Sequence, residues 1–377
     1  MSVAGASRVE PHGRRVGFAV VGLGHIAQAA VLPAFAHARK SAFLAALVSG
    51  DPRKRDELSE HYRVPAFRYE DFDECLRLPE VEAVYIALPN ALHAEYAVRA
   101  ARAGAHVLCE KPLAVTEADG LRMIRACEEA SVKLMVAYRL HFDEANLRAI
   151  QAIREGDVGD PRLFTSTFTV QVPERNTRLS RERGGGVLWD TGLYCINAAR
   201  YLFGGEPTEV SAFADRGGDP RFAEVEEALT CSLRFPGGRL ATFVASFGAT
   251  PVSWFEVVGT EGRLRLNRAY EYQGEHTLER WRGQSHFSRS FPPRDQFGPE
   301  LLVFSESVRR GESPEPDGWE GLADVRIAGA LYRSAREGRA VALEPLPIRR
   351  RPSLHQLQRV PPVRVPSLVD AEPPWRG

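Results

Sequence analysis

Val16-Gly17-Phe18-Ala19-Val20-Val21-Gly22-Leu23-Gly24-His25-Ile26-Ala27 is the stretch that decides the fold. An apolar run of strand length ends in Gly-x-Gly-x-x-Ala and passes straight into a helical pattern, a permitted form of the dinucleotide fingerprint. There the first glycine, Gly22, makes the tight turn, and Gly24 removes a Cβ so that backbone can approach a pyrophosphate. The helix opening at His25 and Ile26 offers free N–H groups and a partial positive charge to that anion. Glycine pairs end many strands, so the pattern draws its weight from its surroundings.

Those surroundings are regular. Apolar runs at Phe43–Val48, Ala83–Leu88, His106–Cys109 and Lys133–Ala137 alternate with helical patterns, which predicts right-handed crossovers and a mainly parallel sheet. Thr116 and Asp119 resemble an N-cap and its N3 acid, with Leu121, Ile124 and Cys127 recurring behind them. After Pro161 the period changes. Phe164, Phe168, Val170 and Val172 alternate with Thr165, Thr167, Thr169 and Gln171; Leu229–Phe235 alternates likewise and turns at Pro236-Gly237-Gly238. A second hairpin runs from Trp254 to Leu266, and helices are predicted over 299–310 and 319–337. Tight turns and one polar face argue an antiparallel sheet. The expected fold class is an α/β Rossmann domain plus an α+β domain with a large, mainly antiparallel open sheet. The expected divisions are a flexible start (1–14), a nucleotide-binding domain (15–138), a substrate and oligomerisation domain (139–344), and a Pro/Arg-rich tail (345–377). The tail carries Arg349-Arg350-Arg351 and is expected as a solvated arm, without a core of its own, on its own or a neighbouring subunit.

Composition narrows the function. The 377 residues carry 49 basic and 49 acidic side chains, so the broad basic field needed for non-specific nucleic-acid binding is missing. Five cysteines, an odd number at long spacings without C-x-x-C, argue against metal or dithiol chemistry and for reduced thiols in a cytoplasmic protein. Arg14-Arg15 precede an apolar run from Val16 to Ala36 that has the length of a membrane span or signal. Three glycines and Pro33 interrupt it, and cleavage there would discard the glycine loop, so no membrane partner is expected.

The second strand ends in Ser49-Gly50-Asp51-Pro52-Arg53-Lys54-Arg55. An acid at this tip usually binds the ribose 2′-hydroxyl and favours NAD, whereas a serine followed by Arg53 and Lys54 suits a 2′-phosphate. NADP is the expected cofactor; Asp51 keeps NAD possible, and the cations are otherwise an ordinary helix start. Pro89-Asn90 and His93, after the strand Ala83–Leu88, should border the crevice, although His93 would serve equally as a helix-start residue with a local hydrogen bond. Glu110-Lys111-Pro112 follows another strand tip in the half expected to hold nicotinamide. Downstream of Gly184-Gly185-Gly186, Asp190 and Tyr194 stand four apart, on one face if a helix begins near Asp190. The plain alternative is that Asp190 caps that helix and Tyr194 packs.

The chain resembles the glucose-fructose oxidoreductase/inositol dehydrogenase/MocA family, and within it the glucose-fructose oxidoreductase branch most closely. The resemblance rests on Val21–Ala27, Ala46–Asp51, Ala83–Glu95, His106–Pro112, Ala137–Asp143, Gly184–Tyr201 and Asp324–Val341. It implies an active site between the two domains, association through the larger sheet as a homodimer or homotetramer, and a cis peptide before Pro112. By position, Lys111, Asp190 and Tyr194 are the implied catalytic residues, while Arg139 and His141 are implied to line the substrate pocket beside Asp190 and Tyr194. An ammonium about 4 Å from a phenol is worth about 4 kcal/mol at an effective dielectric near 20. That is about the free energy needed to make a phenol of ordinary pKa near 10 available as a base near neutrality. Asp190 then orients Lys111 or binds a sugar hydroxyl. The implied activity is NADP-dependent hydride transfer between nicotinamide and a sugar (aldose or pyranose) or related polyol. An NAD-dependent inositol or polyol dehydrogenase, or a non-catalytic cofactor sensor of the same fold, are the alternatives. Because only residues 1–15 precede the first strand, an exchangeable cofactor is expected in place of one retained by an N-terminal arm.

Overall fold

The computed structural model describes residues 14–347 and 351–375. The flexible start expected at 1–14, save Arg14, and Arg349 and Arg350 in the tail lie outside the described residues. Strands β1 (Val16–Val21), β2 (Ala42–Val48), β3 (Ala66–Phe67), β4 (Ala83–Ile86), β5 (His106–Glu110) and β6 (Leu134–Ala137) form one sheet in the order β3-β2-β1-β4-β5-β6. Every pairing in it is parallel. β1 is buried along its whole length, which is why its sequence is a continuous apolar run and not an alternation. Strand order reverses between β1 and β4, and at such a switch point a crevice opens beyond the carboxyl ends.

Helices α1 (Leu32–Ala38), α2 (Pro52–Tyr62), α3 (Phe72–Leu76), α4 (His93–Arg102) and α5 (Glu117–Glu129) connect these strands. Their starts follow local chemistry. Thr116 Oγ1 accepts from Asp119 N at 3.1 Å to cap α5, and Asp51 Oδ1 accepts from Lys54 N at 3.2 Å to cap α2. Each such cap satisfies one of the unpaired N–H groups of a first turn.

The second sheet has nine strands: β7 (Pro161–Gln171), β8 (Glu209–Asp215), β9 (Ala228–Phe235), β10 (Arg239–Ser246), β11 (Gly248–Gly259), β12 (Gly262–Asn267), β13 (His276–Arg282), β14 (Ser285–Phe291) and β15 (Val341–Ala342). Their order is β14-β13-β12-β11-β7-β10-β9-β8-β15. The sheet is mixed: β7 runs parallel to β10 and every other pairing is antiparallel. In β9, Leu229, Cys231, Leu233 and Phe235 point to the core and their neighbours to the outside, as the alternation predicts. Helices α6 (Glu144–Arg154), α7 (Leu193–Phe203) and α9 (Gly318–Glu337) contact this sheet. In chain order between α7 and α9, α8 (Phe297–Arg310) returns to the first sheet, where Phe304 packs 6.0 Å from Phe18.

The tail departs from the solvated arm expected of it. Arg351 reaches Glu206 and Glu320, which also hold the fully buried Arg200 together with Asp324. Arg359 grips Glu144 through two bonds of 3.0 and 2.7 Å. Val369 is buried in the apolar cluster of the first domain. Where described, the arm lies on its own chain and is fastened at Arg351, Arg359 and Val369. Among the described residues, no helix is long and apolar enough to cross a membrane.

Candidate active site

The carboxyl ends of β1, β2, β4 and β5 open into a cleft of ≈ 390 Å³ closed on its far side by residues of the second domain, a size usual for small-molecule sites. Gly22, Gly24, His25, Ile26, Ser49, Gly50, Lys54, Pro89, Asn90, Glu110, Lys111, Arg139, Asp190 and Tyr194 all line it. The glycine loop fits a pyrophosphate for two different reasons. Gly22 has φ +95° and a Cβ there would stand 2.5 Å from Ala87 O, so the turn itself requires glycine. Gly24 has nothing within 4 Å of its absent Cβ: the space it leaves belongs to the cleft, and the helical stretch that opens at His25, winds as a π turn over Ala27–Val31 and leads into α1 starts beside it. Burial, and after it the cation of Arg178, push the His25 imidazole below its ordinary value.

Lys111 emerges from β5 through a cis bond to Pro112. Its Nζ donates to Asp190 Oδ1 at 2.5 Å and to Asp190 O at 3.3 Å. The second oxygen of Asp190 accepts from Arg178 Nε at 2.5 Å. Burial alone would raise the Asp190 carboxyl, but Arg178 and Lys111 overcome it and hold the group well below the usual carboxylate range. Burial likewise opposes the charge on Lys111, and the Asp190 carboxylate reverses that to leave the amine above its ordinary value. Both oxygens of Asp190 thus accept from cations, Oδ1 from Lys111 and Oδ2 from Arg178.

The helix does not begin at Asp190. Asp190 sits inside a π turn, Leu188–Gly192, that runs directly into α7, a wide turn often found at functional sites. Tyr194 follows on the first turn of α7 and faces the same cleft. Lys111 Nζ lies 4.6 Å from the centroid of its ring, and the Arg139 guanidinium lies 4.9 Å from it. The phenol oxygen accepts from Arg139 Nε at 3.2 Å. Arg139 is itself fixed by donating to Gln296 Oε1 at 2.6 Å and to Tyr270 O. Its link to the Tyr194 hydroxyl, fifty-five positions along the chain, has no local signal in the sequence.

Three expected site residues lie elsewhere. His93 is fully buried at the start of α4, with Nδ1 2.8 Å from Pro112 O and Nε2 2.9 Å from Leu88 O. It braces the two loops that carry the site, the local role that was its alternative. His141 follows Arg139 by two positions in a tight turn and points inward, its ring 4.5 Å from that of Tyr201 and Nδ1 3.3 Å from Glu315. Arg53 stands on the exposed side of α2, paired with Glu57 at 2.6 Å and Asp370 at 2.9 Å. Conversely, Tyr69, Tyr272, Arg178, Pro374 and Trp375 line the cleft. Arg178 stands in the loop over 172–183, a stretch whose sequence reads equally as ligand-facing or as plain surface.

A parallel nucleotide-binding sheet, a glycine-lined turn at its switch point and a lysine, aspartate and tyrosine across the cleft define a two-domain NAD(P)-dependent oxidoreductase. Comparisons with known proteins agree. Residues 16–138 match the family model described as an oxidoreductase family with an NAD-binding Rossmann fold, and residues 146–265 match that of the GFO/IDH/MocA C-terminal domain. The chain belongs to the GFO/IDH/MocA family. It is 30% identical over 331 residues to a D-xylose 1-dehydrogenase (NADP(+)) of Haloferax volcanii, covering 87% of this chain and 99% of that one. The structure of an aldose-aldose oxidoreductase from Caulobacter crescentus, complexed with glycerol, is similar with a TM-score of 0.83 and 40% identity, covering 88% of this chain and all of that one. A 3-ketoreductase from Actinomadura kijaniata, in complex with NADP and TDP-benzene, has a TM-score of 0.78 at 26% identity, over 85% of this chain and 98% of the other.

Proposed function

We propose that the chain is an NADP-preferring sugar oxidoreductase that transfers hydride between nicotinamide and a pyranose aldose. The observation that carries this reading is the convergence of Lys111, Asp190, Tyr194 and Arg139 on the cleft that holds the glycine loop. The relatives named for D-xylose and for aldoses support the substrate class. Bound nicotinamide would supply the hydride donor or acceptor at C4. Gly22, Gly24 and Ile26 would cradle the pyrophosphate, Glu110 and Lys111 would border the ring, and Ser49 and Lys54 would meet the adenosine ribose. Asp51 already caps α2, which supports a 2′-phosphate bound by Lys54 over a 2′-hydroxyl bound by Asp51. On the sugar side, Tyr194 would take or return the carbinol proton, and the guanidinium of Arg139 would stabilise the resulting phenolate through its Nε–H. Lys111, held charged by Asp190, adds a second positive charge to that corner.

A panel of aldoses and polyols followed at 340 nm, with NADP and with NAD, tests the reading. Tyr194→Phe should lower kcat about 100-fold or more while leaving cofactor affinity intact, the usual scale for a lost general base. Lys54→Ala should weaken NADP about tenfold and NAD little, the size of one charge-assisted contact. Full turnover in Tyr194→Phe together with Lys111→Ala would remove the catalytic assignment.

A further inference from the structure

The C-terminal residues 369–375 cross from one domain to the other at the mouth of the cleft. Val369 pairs with the side chain of Gln28 in both directions: its N–H donates to Oε1 at 2.8 Å and its carbonyl accepts from Nε2 at 2.9 Å. The same amide donates to Leu23 O in the glycine loop at 2.8 Å, and Gln28 is buried. Asp370 then pairs with Arg53 on α2 at 2.9 Å. Four residues further on, Pro374 O accepts from Asn176 Nδ2 at 3.0 Å, and Trp375 lies with its ring 5.6 Å from the Arg178 guanidinium. Asn176 and Arg178 belong to the loop after β7, in the second domain, and Pro374 and Trp375 form part of the cleft lining.

We propose that Val369–Trp375 is a strap that retains the dinucleotide, fastened behind the glycine loop at one end and to the substrate-side loop at the other. This rests on the reading above that a dinucleotide occupies the cleft. The four steps from Asp370 to Pro374 span at most about 14 Å, so little slack exists for the two walls to part while both ends stay attached. Pro373-Pro374 stiffens the crossing, because each ring fixes φ and the segment loses little entropy on ordering. Opening the cleft requires breaking the Asn176–Pro374 bond and the Arg178–Trp375 contact. Trp375 is moreover a positioning residue: it packs on the guanidinium whose Nε holds Asp190, and Asp190 holds Lys111. Slow nucleotide release follows.

The test is the rate at which bound NADPH leaves the protein, followed by its fluorescence after a chase with excess NADP+. Three chains are compared: the full-length protein, one lacking residues 369–377, and full-length Trp375→Ala. The strap predicts release at least about tenfold faster in the shortened chain and an intermediate rate in Trp375→Ala, a change carried in dissociation and not association. Trp375→Ala keeps the Val369 anchor, so it decides the matter if the shortened chain does not fold. Rates within about twofold of the full-length protein overturn the strap while leaving the nucleotide reading intact. Absence of saturable NADPH or NADH binding by the full-length chain overturns both.

Discussion

Lys111 addresses Tyr194 through the face of the ring, its Nζ 4.6 Å from the centroid, while Arg139 Nε donates to the phenol oxygen from 3.2 Å. Under the proposed mechanism the two cations would divide the role expected of the lysine alone. The guanidinium makes the directed hydrogen bond. The ammonium supplies charge from the side and is kept in place by Asp190.

That arrangement makes the two partners of the buried pair unequal under substitution. Lys111→Ala leaves Asp190 paired with Arg178 at 2.5 Å, so the protein should stay folded and lose activity. Asp190→Ala leaves two cations facing one another without their carboxylate, and should cost about 3–5 kcal/mol, the range for an uncompensated buried charge. Denaturant unfolding of both variants checks the order. Equal losses would mean that Arg178 does not share the carboxylate.

The two glycines of the fingerprint should separate folding from binding. Gly24→Val meets no protein atom within 4 Å of its Cβ, so its thermal midpoint should match the parent while nucleotide binding is lost. Gly22→Val places a branched side chain at φ +95° against Ala87 O and should lower stability by about 1–3 kcal/mol from backbone strain alone. Calorimetry and NADPH titration on the pair report the two effects independently.

Glu320 gives a pH dependence. Burial, only partly offset by Arg200 and Arg351, raises its carboxyl to about 7 from an ordinary 4.5. The folded chain therefore keeps a proton that the unfolded chain releases, and stability falls as pH rises from about 4.5 to about 7. At about 1.4 kcal/mol per pH unit the cost above neutrality is up to about 3 kcal/mol. Glu320→Gln should be close to neutral near pH 5 and stabilising near pH 8. A variant equally affected at both values would show that the carboxyl does not titrate in this window.

The outer face of the nine-stranded sheet bears on assembly. Leu240 and Leu163 stand opposite one another on β10 and β7, exposed at 44% and 47%, with Val244 on the same face two pleat repeats further along β10. Exposed apolar side chains on adjacent strands mark an interaction face. We expect sedimentation to show a dimer or tetramer and Val244→Glu to dissociate it; a monomeric parent chain would withdraw the expectation.

Much of this molecule could be read before its structure was known, and the reason is burial. Strand β1 matches its apolar run residue for residue, because a strand covered on both faces has no alternation to blur its ends. Thr116 and Gly338 mark a helix start and a helix end through their own capping geometry. The parallel pairing of β7 with β10 left no trace, since alternation along a strand is the same whichever neighbour it takes. Motif proximity also failed to say which way a side chain turns: Arg139 faces the cleft and His141, two positions on, faces the core. Trp375 lies in a segment without periodicity, and nothing local tells that it returns to line the cleft beside Arg178.

The π turn at Leu188–Gly192 has a consequence for how this stretch can vary among related chains. It packs an extra residue into a turn that an α-helix would make with fewer. Removing one residue between Asp190 and Tyr194 would restore ordinary winding and change the bearing of Asp190 relative to Tyr194. The carboxylate and the amine across the interdomain gap would then miss each other. Single-residue insertions and deletions are therefore not tolerable in this segment, and the length of the stretch between the triple glycine and Tyr194 should be invariant wherever the chemistry is kept.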